Sequence, residues 1–409
     1  MEREGERPVS HFGTLSLATS IRAINRARIV SLIRRQPGMT RAELSRVSRL
    51  SKGTVSNLVG ELLAEGFLYE DHGEGKRQRN AGLWLNRNGG LAIGFELSPG
   101  ECRGMLSDME INPLRRVHQP LASNRVEETV EAILTLTQEL LAGAQGHCLG
   151  LAVGVPGPTD AKGQRVVFSE SLGWSDVPLA EKLAGRVGVP VTVINRPRAG
   201  VLGEYWYGAG AGSRDLIYVS ISSGIGAGII LGDRLFTGSF GYGGELGHTT
   251  VVAEGAECVC GNRGCLETVA SMPAIAQAIT ARLRAGEPSV LAATLREQGC
   301  LRAHDITAAV RDGDSLARDE VKKASRFVGI AVANLIDLFN PTRIIIGGQL
   351  AEAGEIVINT IRETAQRRTY PLSFSDTQIV KSALAADSVC IGACALVIDR
   401  YIAEAELSL

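Results

Sequence analysis

Near the start of the chain, apolar residues recur at helical spacing between Ser20 and a Pro37–Gly38 pair that would end a helix. The apolar positions of this predicted helix are Ile21, Ile24, Ile29, Leu32 and Ile33. Thr40 and Ser51 each precede a further short helix, and Glu43 lies three residues after Thr40, as in a capping box. Two short helices joined by a tight turn are typical of a helix-turn-helix.

Two short apolar runs then flank a polar tip before residue 87, a pattern that predicts a β-hairpin. The cations of this tip are Lys76, Arg77 and Arg79. A hairpin with a basic tip after a helix-turn-helix indicates a wing that would follow the DNA backbone or enter a minor groove. Residues 20–86 are therefore predicted to form a winged helix-turn-helix, after a flexible tail of residues 1–19. A small helical oligomerisation module is the alternative.

From residue 87 to residue 409, strand patterns alternate with helical patterns, which predicts an α/β fold of two lobes. The first lobe is expected to span about 87–205 and to include a C-terminal amphipathic helix at 388–408. The second lobe is expected to span about 206–387.

Charge is unevenly distributed along the chain. Residues 1–90 contain 15 Lys and Arg against nine Asp and Glu, whereas the whole chain has a net charge of −1. A basic N-terminal segment on an otherwise acidic chain favours a nucleic-acid partner for that segment, although a solvated basic face would have the same composition. The candidate DNA-contacting residues of the helices are Thr40, Arg41, Ser51, Lys52, Thr54, Ser56 and Asn57.

A histidine and three cysteines cluster in the second lobe. They are His248, Cys258, Cys260 and Cys265. One imidazole and three thiolates form a complete tetrahedral set, so we predict a structural zinc ion in a loop at 245–267. Buried free cysteines are less favoured because the flanking residues are glycine or polar, and a disulfide is disfavoured because nothing in the sequence suggests export.

The stretch His-x9-Cys-x-Cys-Gly-x2-Gly-Cys-x-Glu, from His248 to Glu267, resembles the signature of the ROK family of repressors and sugar kinases. The resemblance implies two actin-like lobes that hold a sugar between them. The residues it places at the sugar are Asn195, Glu245, His248 and Glu267. It also identifies Ser223, Gly224 and Gly226 as a phosphate-binding loop.

Two departures from the family pattern argue against sugar phosphorylation. Arg196 stands where ROK kinases have the aspartate that takes the proton from the sugar, and a guanidinium cannot serve as a general base. The first phosphate loop reads Glu96-Leu-Ser-Pro-Gly, in which Pro99 contributes no N–H group. The phosphate loop at Ser223 is then vestigial. Arg196, together with Arg198, could bind an anionic effector, or Arg196 could pair with Glu245 or Glu267.

We therefore expect a cytoplasmic transcriptional regulator, a repressor of carbohydrate metabolism genes, that binds a double-stranded DNA operator and senses a sugar or sugar derivative. No N-terminal export signal or membrane-length apolar stretch is evident. A two-fold operator favours a homodimer or homotetramer. Two alternatives are open: an ATP-dependent sugar kinase with a fused DNA-binding domain, and a repressor controlled by a protein effector.

Overall fold

A computed structural model describes residues 17–71 and 81–404 of the 409-residue chain. Lys76, Arg77, Arg79 and most of the predicted tail lie outside these ranges. The chain divides into two compact units. One comprises the segment up to Asn86 together with the segment from Asp399 onward, and the other comprises Arg87–Ile398.

Up to Asn86, the described residues of the first unit form three helices and a hairpin, which are α1 (Leu17–Arg35), α2 (Arg41–Ser48), α3 (Lys52–Ala64), β1 (Leu68–Asp71) and β2 (Gly82–Leu85). Thr40 caps α2 and forms the predicted capping box with Glu43, and Ser51 caps α3. The two strands are antiparallel, with Leu68 opposite Leu85. The predicted winged helix-turn-helix is therefore present among the described residues.

The buried face of α1 agrees with the predicted one at Ile29 and Ile33, which are buried, but differs nearer the start of the helix. Ile21 and Ile24 are more than half exposed, whereas Arg26 is only 1% exposed. Arg26 forms a bidentate ion pair with Glu65 of the first unit, and this pairing allows a guanidinium to be buried. Apolar periodicity was wrong at Ile21 and Ile24 because a paired arginine can occupy a core position.

The second unit contains two five-stranded sheets, one in each predicted lobe. The first sheet has the strand order β5-β4-β3-β6-β9. Its strands are β3 (Leu91–Ser98), β4 (Glu101–Ser107), β5 (Pro113–Pro120), β6 (Cys148–Val155) and β9 (Val191–Asn195). Helices α4 (Val126–Leu141) and α5 (Leu179–Val187) and a hairpin, β7 (Val166–Ser169) and β8 (Trp174–Val177), complete this lobe.

The second sheet has the order β12-β11-β10-β13-β14. Its strands are β10 (Leu216–Ile221), β11 (Ile225–Leu231), β12 (Arg234–Phe236), β13 (Arg343–Gly347) and β14 (Gln378–Lys381). Its helices are α7 (Glu267–Ala270), α8 (Met272–Arg284), α9 (Leu291–Gln298), α10 (Ala303–Arg311), α11 (Ser315–Phe339), α12 (Glu355–Gln366) and α13 (Pro371–Ser375). None of the described helices has both the length and the apolar character required to cross a membrane.

Two more helices, α6 (Arg196–Tyr207) and α14 (Ser388–Glu404), pack closely against each other in the second unit. A Cβ atom on Gly203 would lie 2.3 Å from the carbonyl oxygen of Ser388, so only glycine fits there. We had assigned the C-terminal helix wholly to the first lobe, but its end, from Asp399, belongs to the first unit. In that unit Asp399 pairs with Arg34, and the ring of Tyr401 packs edge-to-face on Phe67.

Candidate functional site

A cavity of about 420 Å³ lies between the two lobes of the second unit. The residues predicted to bind the sugar and those of the predicted vestigial loop all line it. They are Asn195, Arg196, Ser223, Gly224, Gly226, Glu245, His248 and Glu267. Polar side chains that converge on one concave site are the usual arrangement of a small-molecule pocket.

Hydrogen bonds to the backbone hold two of these polar side chains in place. Asn195, at the end of β9, donates from Nδ2 to the carbonyl oxygen of Gly157 at 2.9 Å. The backbone N–H of Ile225 donates to Glu267 Oε2 at 2.8 Å. Since Glu267 accepts this N–H, the glycine-rich turn before β11 has one fewer donor for a phosphate than a free phosphate loop has.

Glu245 lies in a partly buried position beside a buried arginine. Burial raises the pKa of its carboxyl group, and the positive charge of Arg198 partly offsets the effect. Arg198 does not line the cavity; its Nη2 donates to the carbonyl oxygens of Gly241 and Gly243 at 2.7 and 2.9 Å. Burial lowers the pKa of Arg198, and its role here is to hold the loop that leads to Glu245.

Arg196 pairs with Glu96, not with Glu245 or Glu267 as we had considered. Its Nη2 lies 2.8 Å from Glu96 Oε1, and the two side chains are only 13% and 9% exposed. Sheet register explains the pairing, because Glu96 is the last residue of β3 that pairs with β6, and Arg196 directly follows β9 on the far side of β6. Gly154 of β6 lies opposite Glu96 and has no side chain to come between the two charged residues. The long Arg196 side chain can therefore span the roughly 10 Å between β3 and β9, the strands on either side of β6.

The predicted metal ligands come together in one cluster. The ligand atoms of His248, Cys258, Cys260 and Cys265 all lie within 4.8 Å of one another. His248 Nδ1 is 3.6 Å from Cys258 Sγ, and Cys260 Sγ is 3.7 Å from Cys265 Sγ. A tetrahedral ion with metal–sulfur bonds of about 2.3 Å would separate its sulfurs by about 3.7 Å. The cluster can therefore hold a metal ion.

Glycine makes this tight loop possible. Gly264 has a φ of 70°, and a Cβ atom there would lie 1.6 Å from the carbonyl oxygen of Val252. Without a cation, burial would raise the pKa of the Cys265 thiol to about 12. A bound metal would stabilise the thiolate instead, so the donor set and the buried position fit a metal centre.

The candidate DNA-contacting residues of the first unit divide into two groups. Thr40, Ser51 and Thr54 make local hydrogen bonds at the starts of α2 and α3, and Arg41 pairs with Glu70. Lys52, Ser56 and Asn57 lie exposed on α3. The second group is therefore available for an intermolecular contact, while the side chains of the first group are engaged in contacts within the first unit.

Comparison with known proteins assigns both units. The ROK family profile matches residues 93–400, and the MarR family profile matches residues 23–78. The chain belongs to the ROK family. It is 31% identical to the xylose repressor of Caldicellulosiruptor bescii over 95% of this chain and 98% of that repressor. These matches agree with the predicted winged helix and the predicted two-lobed domain.

Two solved structures relate the ROK domain to both branches of the family. A ROK family transcriptional regulator, described as a homologue of the E. coli MLC protein, matches with 30% identity and a TM-score of 0.81 over 94% of this chain and 97% of that chain. A ROK glucokinase from Streptomyces griseus, solved with glucose and AMPPNP, matches with 31% identity and a TM-score of 0.69. The glucokinase match covers 75% of this chain and 99% of the kinase.

Sequence reasoning missed the role of Glu96. It identified Glu96 and Arg196 as separate departures from the kinase pattern, although opposite charges at two altered positions were a signal of pairing. Burial of both side chains follows from that pairing, because an isolated charge would be costly in the interior.

Proposed function

We propose that this protein is a transcriptional repressor that binds operator DNA through α3 and is released by a sugar in the cleft of its ROK domain. The observation that carries the proposal is the presence, in one chain, of a winged helix and a cleft lined by sugar-type polar side chains. Xylose is the first candidate effector because full-length relatives are named xylose repressors. Ligand release requires that the sugar bind the DNA-free state more tightly than the DNA-bound state.

We further propose that the ROK domain does not phosphorylate its sugar. Arg196 lies in the cleft where the family resemblance places the catalytic carboxylate, and a guanidinium cannot accept the proton of a sugar hydroxyl. Its partner Glu96 is already engaged in an ion pair. A coupled assay of ADP release over a panel of sugars should therefore detect no sugar-dependent turnover, and clear turnover would support the kinase alternative.

We propose that the metal held by this Cys3His cluster is a structural zinc ion. A Cys3His set closes the coordination shell and leaves no position for a reactive water. Its role would be to fix the loop that presents His248 to the cleft and to hold the neighbouring Glu245 and Glu267 in place. His248 would bind the metal through Nδ1, which faces Cys258, and would direct Nε2 to the sugar.

DNA contact is assigned to the exposed residues Lys52, Ser56 and Asn57 of α3. Short polar side chains near the start of a recognition helix can reach base edges, and a lysine there can reach a phosphate. Because bacterial operators of this kind are two-fold, we propose a homodimer or homotetramer.

The test measures anisotropy of labelled DNA from upstream of the gene and its neighbours, titrated with protein and then with xylose and other sugars. Lys52→Ala should weaken binding across sequences and reduce the salt dependence by about one phosphate contact. Arg296→Ala, a substitution of an exposed arginine on α9, is the matched control and should bind like the parent. Tight DNA binding that no sugar reverses would favour the protein-effector alternative.

A further inference from the structure

Two apolar side chains lie where the cleft opens to solvent. Phe168 of β7 and Val259 of the metal loop both line the cavity, yet they are 53% and 69% exposed. A side chain that both lines a cavity and faces water must lie at its mouth. The two residues come from different lobes, so they flank the entrance from both sides.

Both side chains have a backbone that is held in place by its surroundings. Phe168 is paired with Ser175 in the β7–β8 hairpin, and its carbonyl oxygen lies so close to Gly157 that a Cβ there would be 2.2 Å away. Val259 lies between two of the proposed metal ligands, Cys258 and Cys260. Such a mouth is pre-organised, so a ligand that contacts it would lose little free energy in ordering the protein.

The chemistry of the mouth differs from that of the floor. The floor has Asn195, Glu245 and Glu267, which match the hydroxyl groups of one sugar ring. The benzene ring of Phe168 and the isopropyl group of Val259 cannot form ordinary hydrogen bonds with those hydroxyls, but they can pack against the C–H face of a second ring. The cavity of about 420 Å³ is also in the size range that accommodates drug-sized ligands, well above the needs of one pentose of about ten heavy atoms.

We infer that the effector is a glycoside, with one sugar ring among the polar residues of the floor and a second ring or apolar aglycone against Phe168 and Val259. A short oligosaccharide of the proposed pentose is the simplest such ligand. The inference rests on the proposed sugar-sensing function and specifies its ligand class.

The test compares sugar affinities by calorimetry on the full chain with its metal retained. The ligand pairs are xylose with xylobiose, glucose with cellobiose, and methyl xyloside with phenyl xyloside. The larger member of at least one pair should bind roughly tenfold more tightly than the smaller member. Phe168→Ala should abolish this preference while changing the affinity for the smaller member less than about twofold.

Phe240→Ala is the matched control, because Phe240 is 79% exposed in the same lobe as Val259 but does not line the cavity. It should retain the preference. Binding of a monosaccharide with no preference for its larger partner would overturn the inference and leave the proposed function intact. A preference that Phe168→Ala does not reduce would also overturn it. Absence of binding to every sugar tested would contradict both the inference and the proposed sugar-sensing function.

Discussion

At the scale of single residues, the ion pair with Glu96 holds Arg196, a side chain that lines the cleft of this ROK domain. Both side chains are buried, so each charge depends on the other. We predict that Glu96→Ala lowers the free energy of unfolding by about 3–5 kcal/mol, because it leaves a guanidinium buried without its counter-charge. The double variant Glu96→Ala/Arg196→Met should be less destabilised than Glu96→Ala alone, as measured by urea unfolding.

An exposed pair provides the control for this comparison. Arg116 and Asp387 lie 2.9 Å apart, with both side chains well exposed. Arg116→Ala should therefore change the free energy of unfolding by about 1 kcal/mol or less. Strictly additive effects of the Glu96 and Arg196 substitutions would contradict the proposed coupling.

Glu245 offers a second prediction at this scale. Burial raises the pKa of its carboxyl group, so the folded protein holds this proton more tightly than the unfolded chain does. The group therefore stabilises the fold below its ordinary pKa, and that contribution is lost as the pH rises through the raised value. Glu245→Gln should increase the melting temperature at pH 7, and the increase should disappear toward pH 4.

The same variant should weaken sugar binding, because an amide cannot replace both acceptor oxygens of the carboxylate. Calorimetry at pH 7 would measure the loss, and Glu254→Gln in the neighbouring loop is a control that does not line the cavity. A more stable protein that binds sugar less well is the expected combination. A melting temperature that does not depend on the substitution at any pH would contradict the assigned cause.

The chemical roles of single residues could largely be predicted from the sequence, whereas their ion-pair partners could not. The metal ligands follow from spacing and residue type, because a fixed local spacing places their side chains together, whereas the cleft residues were implied by the family resemblance. The partner of Arg196 depends on the register of three strands that are distant in sequence, with Gly154 opposite Glu96. Local sequence does not contain that information.

At the scale of elements, the metal loop connects fold and function. We predict that Cys260→Ser, or prolonged treatment with a strong chelator, lowers the melting temperature and abolishes sugar binding. Loss of one ligand opens the coordination shell and frees the loop that carries His248 and Val259. The measurements are metal content, thermal melting and calorimetry with the preferred sugar.

Cys300→Ser is the matched control, because Cys300 is an exposed free cysteine outside the cluster. It should retain metal, melting temperature and sugar affinity. Unchanged metal content in Cys260→Ser would show that this thiol is not a ligand.

The elements themselves were predicted best where local chemistry decides them. The caps at Thr40 and Ser51 set the starts of α2 and α3, since each side chain satisfies an N–H of its own helix. The buried face of α1 was predicted correctly at Ile29 and Ile33 but wrongly at Ile21 and Ile24, because tertiary pairing with Glu65 buries Arg26 instead. Periodicity indicates that a helix forms, and packing decides which of its faces is covered.

At the scale of the whole molecule, α14 contributes residues to both units. In the second unit its first half packs against α6 through Gly203 and Gly392. In the first unit its end supplies Asp399, which pairs with the buried Arg34 at 2.9 Å. The integrity of the DNA-binding unit therefore depends on residues from the far end of the sequence, and no local pattern near the winged helix indicates this dependence.

A truncated chain tests this dependence. We predict that a chain ending at Ile398 loses operator affinity by at least about tenfold, because Arg34 would lose its ion pair with Asp399 and Phe67 would lose the ring of Tyr401. Sugar binding should persist, because the cleft lies wholly in the second unit. A chain ending at Ala403 keeps Asp399, Tyr401 and the buried Ile402, so it should bind DNA like the parent. Equal operator affinity of the two truncated chains would mean that the end of α14 is dispensable for the DNA-binding unit, and loss of sugar binding in the shorter chain would instead place its effect in the ROK domain.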